Sequence, residues 1–287
     1  MKKIILLFTL VTTYIFSNIN AVVSIVPEQT FLKAIGGDKV NITLMVQAGD
    51  SPHTYEPKPS QMLSVARADL YLVIDVEFEQ VWLPKFQSLN SKMLVVDIAE
   101  GVEKMTMGKE HHEHESHSAH DAHKYEGEDP HIWTSPANVK IIAQNICKAL
   151  VRVDKNNEDY YHHNLDAFLA EIEQTDAKIK AILSTLKGSR TFMVFHPSWG
   201  YFAKAYGLKQ IAVEVEGKSP KPRELVTLLK EAKEEKVTAI FTQPEFSDAS
   251  AQILAKELHI PVIKVSPLAP NWSENLINIA KAIAGQQ

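Results

Sequence analysis

The chain has 287 residues, 45% of them hydrophobic and 23% charged, enough for two domains of moderate size that each bury a core. A formal charge of -5 gives no electrostatic reason to expect nucleic acid or an anionic membrane surface as a partner. Cys147 is the one cysteine, which excludes an intramolecular disulfide even in an oxidising compartment.

Lys2 and Lys3 precede an apolar run from Ile4 to Phe16, and the following Ser17-Asn18-Ile19-Asn20-Ala21 ends in a small residue. This pattern predicts a secretory signal over residues 1–21, cleaved after Ala21. The run is short for a membrane span, and no later segment reads as one. With no cysteine beside the cleavage point, the expected product is a free exported protein.

From residue 22 onward, short β-branched runs alternate with helical patterns. Strands are predicted at Val22–Val26, Val40–Val46, Leu70–Asp75 and Met93–Asp97, with helices at Gln29–Ile35, Ser60–Ala68 and around Trp82–Gln87. A helix from about Pro136 carries Val139, Ile142, Ala143, Ile146, Leu150 and Val153 on one face, and Cys147 beside them reads as a small core residue. After position 188 the alternation resumes. Strands fall at Thr191–Phe195, Gln210–Val215, Val237–Thr242 and Pro261–Val265, with helices near 199–206, 222–236, 249–258 and 272–284. This order predicts an α/β fold of two lobes, each a parallel sheet flanked by helices.

Between the halves, Tyr161, Leu165, Phe168, Leu169, Ile172, Ile179, Ile182, Leu183 and Leu186 recur at helical spacing without proline or glycine. One helix over 157–187 should therefore join an N-terminal lobe (22–156) to a C-terminal lobe (188–287) and permit only limited hinge motion. Residues 104–128 lack an apolar period and are dense in His, Glu, Ser and Lys, which predicts a mobile loop.

Three histidines stand beside prolines near strand ends or loop starts: His53 in Pro52-His53-Thr54-Tyr55-Glu56-Pro57, His131 in Asp129-Pro130-His131-Ile132-Trp133, and His196 in Phe195-His196-Pro197-Ser198-Trp199-Gly200-Tyr201. Imidazole suits zinc, and three protein ligands plus one variable position is a common zinc arrangement. In open parallel sheets, ligands bind outside the carboxyl ends of the strands, where His196, Glu245 and Ser266 all fall. If the two sheets face each other, His53 and His131 come from one lobe and His196 from the other. His111, His112, His114, His117, His120 and His123 offer many ligand sets but no fixed geometry, so they read as weak accessory sites for metal. His162, His163 and His259 read as surface residues.

These segments, with Ser60 following Lys58-Pro59, Ala68-Asp69-Leu70 and Tyr160 to Phe168, resemble the zinc- and manganese-binding solute-binding proteins of ABC transporters. The resemblance runs in order over essentially the whole chain after the signal. The acidic, histidine-rich insertion before Asp129 is similar to that of the zinc-specific, ZnuA-like branch. The resemblance implies two α/β lobes joined by a rigid helix, with Zn2+ held between them by His53, His131 and His196. It further implies a periplasmic monomeric receptor that is not an enzyme and that delivers zinc to a permease in the inner membrane. The chain departs from the pattern where the family usually carries an aspartate, here Ser266. Gln243-Pro244-Glu245 stands where Glu-Pro-Gln is common, and Pro52 where an acidic residue sometimes precedes the first histidine. Water, Glu245 or a histidine of the loop can therefore fill the fourth position. Two other readings compete with the receptor. A zinc-dependent hydrolase also uses three histidines plus water, but no His-Glu-x-x-His motif is present. A periplasmic zinc buffer or adhesin would need no permease.

Overall fold

The computed structural model describes residues 18–107, 127–214 and 218–286. The predicted signal segment, apart from residues 18–21, and the six histidines from His111 to His123 lie outside the described residues.

Two four-stranded sheets, all parallel, form the two lobes. The first is built from β1 (Ile19–Val23), β2 (Val40–Leu44), β3 (Leu70–Val73) and β4 (Leu94–Asp97) in the order β2-β1-β3-β4. The second repeats that order one for one as β6-β5-β7-β8, from β5 (Thr191–Val194), β6 (Lys209–Ala212), β7 (Ile240–Thr242) and β8 (Val262–Lys264). Each sheet changes winding direction between its first and third strands, and a crevice opens at such a point beyond the carboxyl ends. Helices α1 (Val26–Gly36), α2 (Pro59–Val65) and α3 (Glu77–Leu89) connect the first set. Helices α6 (Gly200–Tyr206), α7 (Pro222–Glu234) and α8 (Ala249–Leu258) connect the second.

Helix α4 (Pro136–Val153) leads into α5 (Glu158–Ser184), the predicted connector. Its 27 residues extend about 40 Å at 1.5 Å per residue. Tyr161, Leu165, Phe168, Ile172, Thr175, Ile179 and Leu183 form its buried stripe, spaced three and four apart. The stripe packs on α1, α4 and the terminal α9 (Trp272–Ile283). One hydrophobic core runs from the first sheet through α4 and α5 to Phe192, Val194 and Phe241 of the second sheet and Trp272 of α9. Polar ties reinforce it: Trp133 Nε1 donates to the Pro267 carbonyl at 2.8 Å, and Trp272 Nε1 to the Trp133 carbonyl at 2.7 Å. Among the described residues no helix is long and apolar enough to cross a membrane.

Four differences between the structure and the sequence reading stand out. The first strand runs over Ile19–Val23, not Val22–Val26, because Val26-Pro27 already opens α1 with the proline in its first turn. Ala21 pairs with both Ile42 and Leu70, so cleavage after Ala21 would cut an interior strand. Helix α3 starts five residues earlier than Trp82 and carries Pro84 inside it, where only a shorter helical stretch was legible. The ends of the predicted 104–128 loop are tied together: Thr106 bridges Glu128 in antiparallel fashion, and Asp129 N–H donates to the Met105 carbonyl at 2.7 Å.

Candidate functional site

Each histidine leaves the carboxyl end of a sheet by a different route. His53 lies on the turn after β2, where Pro52 and Pro57 limit the backbone. His131 precedes a single 3-10 turn, Ile132–Thr134, that delivers the chain into α4. His196 follows β5 within two residues. The structure brings all three together on the wall of a cavity of about 30 Å³. The His196 ring lies 5.3 Å from that of His53 and 5.2 Å from that of His131, centroid to centroid. His131 and His196 are buried at 6% and 7% exposure, whereas the His53 side chain keeps 28%. Among the described residues no group of three or more His, Cys, Asp or Glu side chains has the spacing of a bound metal ion.

Every one of the three imidazoles carries its own carboxylate on Nδ1. Glu77 Oε2 lies 2.6 Å from His53, Asp129 Oδ1 2.7 Å from His131, and Glu214 Oε1 2.8 Å from His196. A carboxylate at Nδ1 fixes the proton there and leaves Nε2 as a bare lone pair. His196 Nε2 is buried and has no hydrogen-bond partner. Asp129 Oδ1 also accepts the His131 backbone N–H at 2.9 Å, so one oxygen sets both ring and backbone.

The electrostatics differ between the rings. Burial holds the His196 imidazole below the usual histidine range, partly offset by Glu214. The hydrogen bond to Glu77 raises His53, against a smaller opposing effect of burial, and lowers Glu77 in return. Glu77 itself is set by a neighbour two residues on. Buried Glu79 accepts the backbone N–H groups of Ile74, Asp75 and Val76 and the Ser24 hydroxyl, fixing the turn from which α3 springs. Burial pushes Glu79 up to about 7.

A second segment is keyed to His196. The Gln243 side chain accepts the His196 N–H at 3.2 Å and donates to its carbonyl at 2.8 Å, while the Phe246 ring stacks on the imidazole at 4.7 Å. Between them, Glu245 lines the cavity with the histidines. Ser266 does not line it; its hydroxyl donates to Glu245 Oε1 at 2.8 Å. His162, His163 and His259 are exposed, and Cys147 is buried.

Glu77, Glu214 and Phe246 were not singled out from the sequence, and Asp129 and Gln243 entered only as parts of their motifs. The signal available was positional, since Glu77 and Glu214 each follow the carboxyl end of a strand by no more than four residues.

The family model for "Zinc-uptake complex component A periplasmic" matches residues 21–285. The chain belongs to this family. It is 31% identical over 244 residues to the high-affinity zinc uptake system protein ZnuA of Bacillus subtilis, covering 84% of this chain and 75% of that protein. It is 28% identical over 242 residues to the manganese ABC transporter substrate-binding lipoprotein PsaA of Streptococcus pneumoniae, covering 80% and 73%. A crystal structure of ZnuA superposes with a TM-score of 0.85 at 41% identity, over 94% of this chain and 99% of that one. The family is one of extracytoplasmic substrate-binding receptors for divalent metals rather than of enzymes, and both zinc and manganese occur among the relatives.

Proposed function

We propose that the protein is a periplasmic receptor that captures one Zn2+ between its lobes through Nε2 of His53, His131 and His196 and passes it to an ABC permease in the inner membrane. The observation that carries this reading is the repeated unit of imidazole and carboxylate around one cavity. Such outer carboxylates orient metal-binding histidines and raise their basicity. Two imidazoles bound to one tetrahedral zinc at about 2.0–2.1 Å have ring centroids about 5.2 Å apart, which agrees with the spacings of His196 to its two neighbours.

Neutral nitrogen donors favour zinc, whereas manganese prefers oxygen-rich octahedral sites. The histidines from His111 to His123 would add weaker, accessory zinc binding. Metal analysis of protein purified without a histidine tag, followed by competition dialysis against both ions, tests the reading. One tightly held zinc per chain that excludes manganese is expected; manganese-loaded protein from an equimolar mixture would overturn the assignment.

A further inference from the structure

We infer that Glu245 supplies the fourth donor to the cargo metal through Oε2, with Ser266 as its positioning residue; this rests on the zinc-binding reading above. Five buried side-chain atoms among the described residues have no hydrogen-bond partner: Glu28 Oε1, His196 Nε2, Trp199 Nε1, Thr242 Oγ1 and Glu245 Oε2. Only His196 Nε2 and Glu245 Oε2 belong to residues that line the cavity between the histidines. With the His196 proton directed from Nδ1 to Glu214, both atoms are acceptors. Two acceptors cannot satisfy each other. A cation seated between them satisfies both at once.

The surroundings hold Glu245 for that task. Its Oε1 accepts the Ser266 hydroxyl at 2.8 Å, and that hydroxyl in turn accepts the Leu268 N–H at 3.0 Å. Asn275 Nδ2 fixes the Ser266 carbonyl at 2.8 Å. On the other side, Gln243 and Phe246 lock the same segment to the backbone and ring of His196. One carboxylate oxygen is therefore anchored and the other left free.

This arrangement also accounts for the serine at 266. Glu245 follows β7 by three residues, Ser266 follows β8 by two, and β7 and β8 are paired neighbours. The two strand ends therefore stand a single interstrand spacing of about 4.8 Å apart, which lets the Ser266 hydroxyl reach the longer Glu245 side chain and orient it. The resulting shell of three imidazoles and one carboxylate leaves no coordination position for solvent, which suits a carried ion better than one that activates water.

Cobalt(II) loading with azide titration tests this directly, alongside zinc titrations of Glu245→Gln, Ser266→Ala and His196→Ala. Wild-type protein should give the intense visible bands of four-coordinate cobalt, unchanged by azide. Glu245→Gln should bind zinc more than about 100-fold more weakly and acquire an azide-dependent spectrum, and Ser266→Ala should lose about 10-fold without azide binding. An azide-dependent spectrum in the wild-type protein, or wild-type zinc affinity in Glu245→Gln, would overturn the assignment of Glu245. The azide result on wild-type protein does not depend on any variant folding. His196→Ala should lose tight zinc whatever the fourth ligand, so undiminished binding there would refute the three-histidine reading itself.

Discussion

Replacing Glu214 by alanine removes the acceptor that holds the His196 Nδ1–H at 2.8 Å, in a place where the imidazole and carboxylate side chains are 8% and 7% exposed. Water has little access to replace it. The imidazole is then free to carry its proton on Nε2, the atom proposed to bind the metal, and the ring loses a nearby negative charge that strengthens its lone pair. Burial alone already holds this imidazole low, so without Glu214 its basicity falls further. Outer-sphere partners of this kind are worth about 10–100-fold in metal affinity, or about 1.4–2.8 kcal/mol. Glu214→Ala should lie near the upper end of that range. Glu214→Gln, which retains an acceptor oxygen but not the charge, should lie near the lower end. Competition with a chromophoric zinc chelator at pH 7.5 resolves both. Equal affinities for wild type and Glu214→Ala would refute the idea that the carboxylate sets the tautomer of His196.

Zinc binding should weaken as pH falls, since protons compete for each ligating imidazole. His53, raised by Glu77, is protonated from a higher pH than an unperturbed histidine, so Glu77→Gln should move the acid limb of the binding curve to lower pH; an unmoved limb would exclude Glu77 as its cause. Gly200→Ala should cost roughly 1 kcal/mol of zinc affinity, because a Cβ there would come within 2.8 Å of Asp129 Oδ2 and displace the carboxylate that holds His131; chelator competition checks it, and unchanged affinity would contradict it. Mass spectrometry of the exported protein should place its first residue at or before Asn18, whose side chain donates to the Asp38 carbonyl at 2.8 Å just ahead of β1. A chain beginning at Val22 would show that β1 tolerates the loss of its first three residues.

Much of the fold was legible because its parts obey simple periods. The long helix announced itself through an uninterrupted three-and-four spacing from Tyr161 to Leu183, and the strands through short β-branched runs. Boundaries failed where two signals overlapped. Ile19 and Asn20 were absorbed into the predicted signal tail, so β1 was read three residues late, and Pro84 obscured the extent of α3. At the site, the histidines stood out because each sits among prolines and aromatic residues. Two of their carboxylate partners did not, since Glu214 lies 18 residues from His196 and Glu77 lies 24 from His53. Only the packing of one strand end against another brings such pairs together. The role of Ser266 was hidden for the same reason: its partner is on the neighbouring strand end, 21 residues away.

X-ray absorption at the zinc edge of protein loaded with one equivalent of metal tests most directly whether His53, His131 and His196 hold a single ion together. A four-coordinate shell at about 2.0–2.1 Å with outer-ring scattering from three imidazoles is expected. The signal should fall to two imidazoles in His53→Ala. A shell dominated by oxygen, or one whose imidazole count is unaffected when His53 is removed, would contradict a site shared by these three residues.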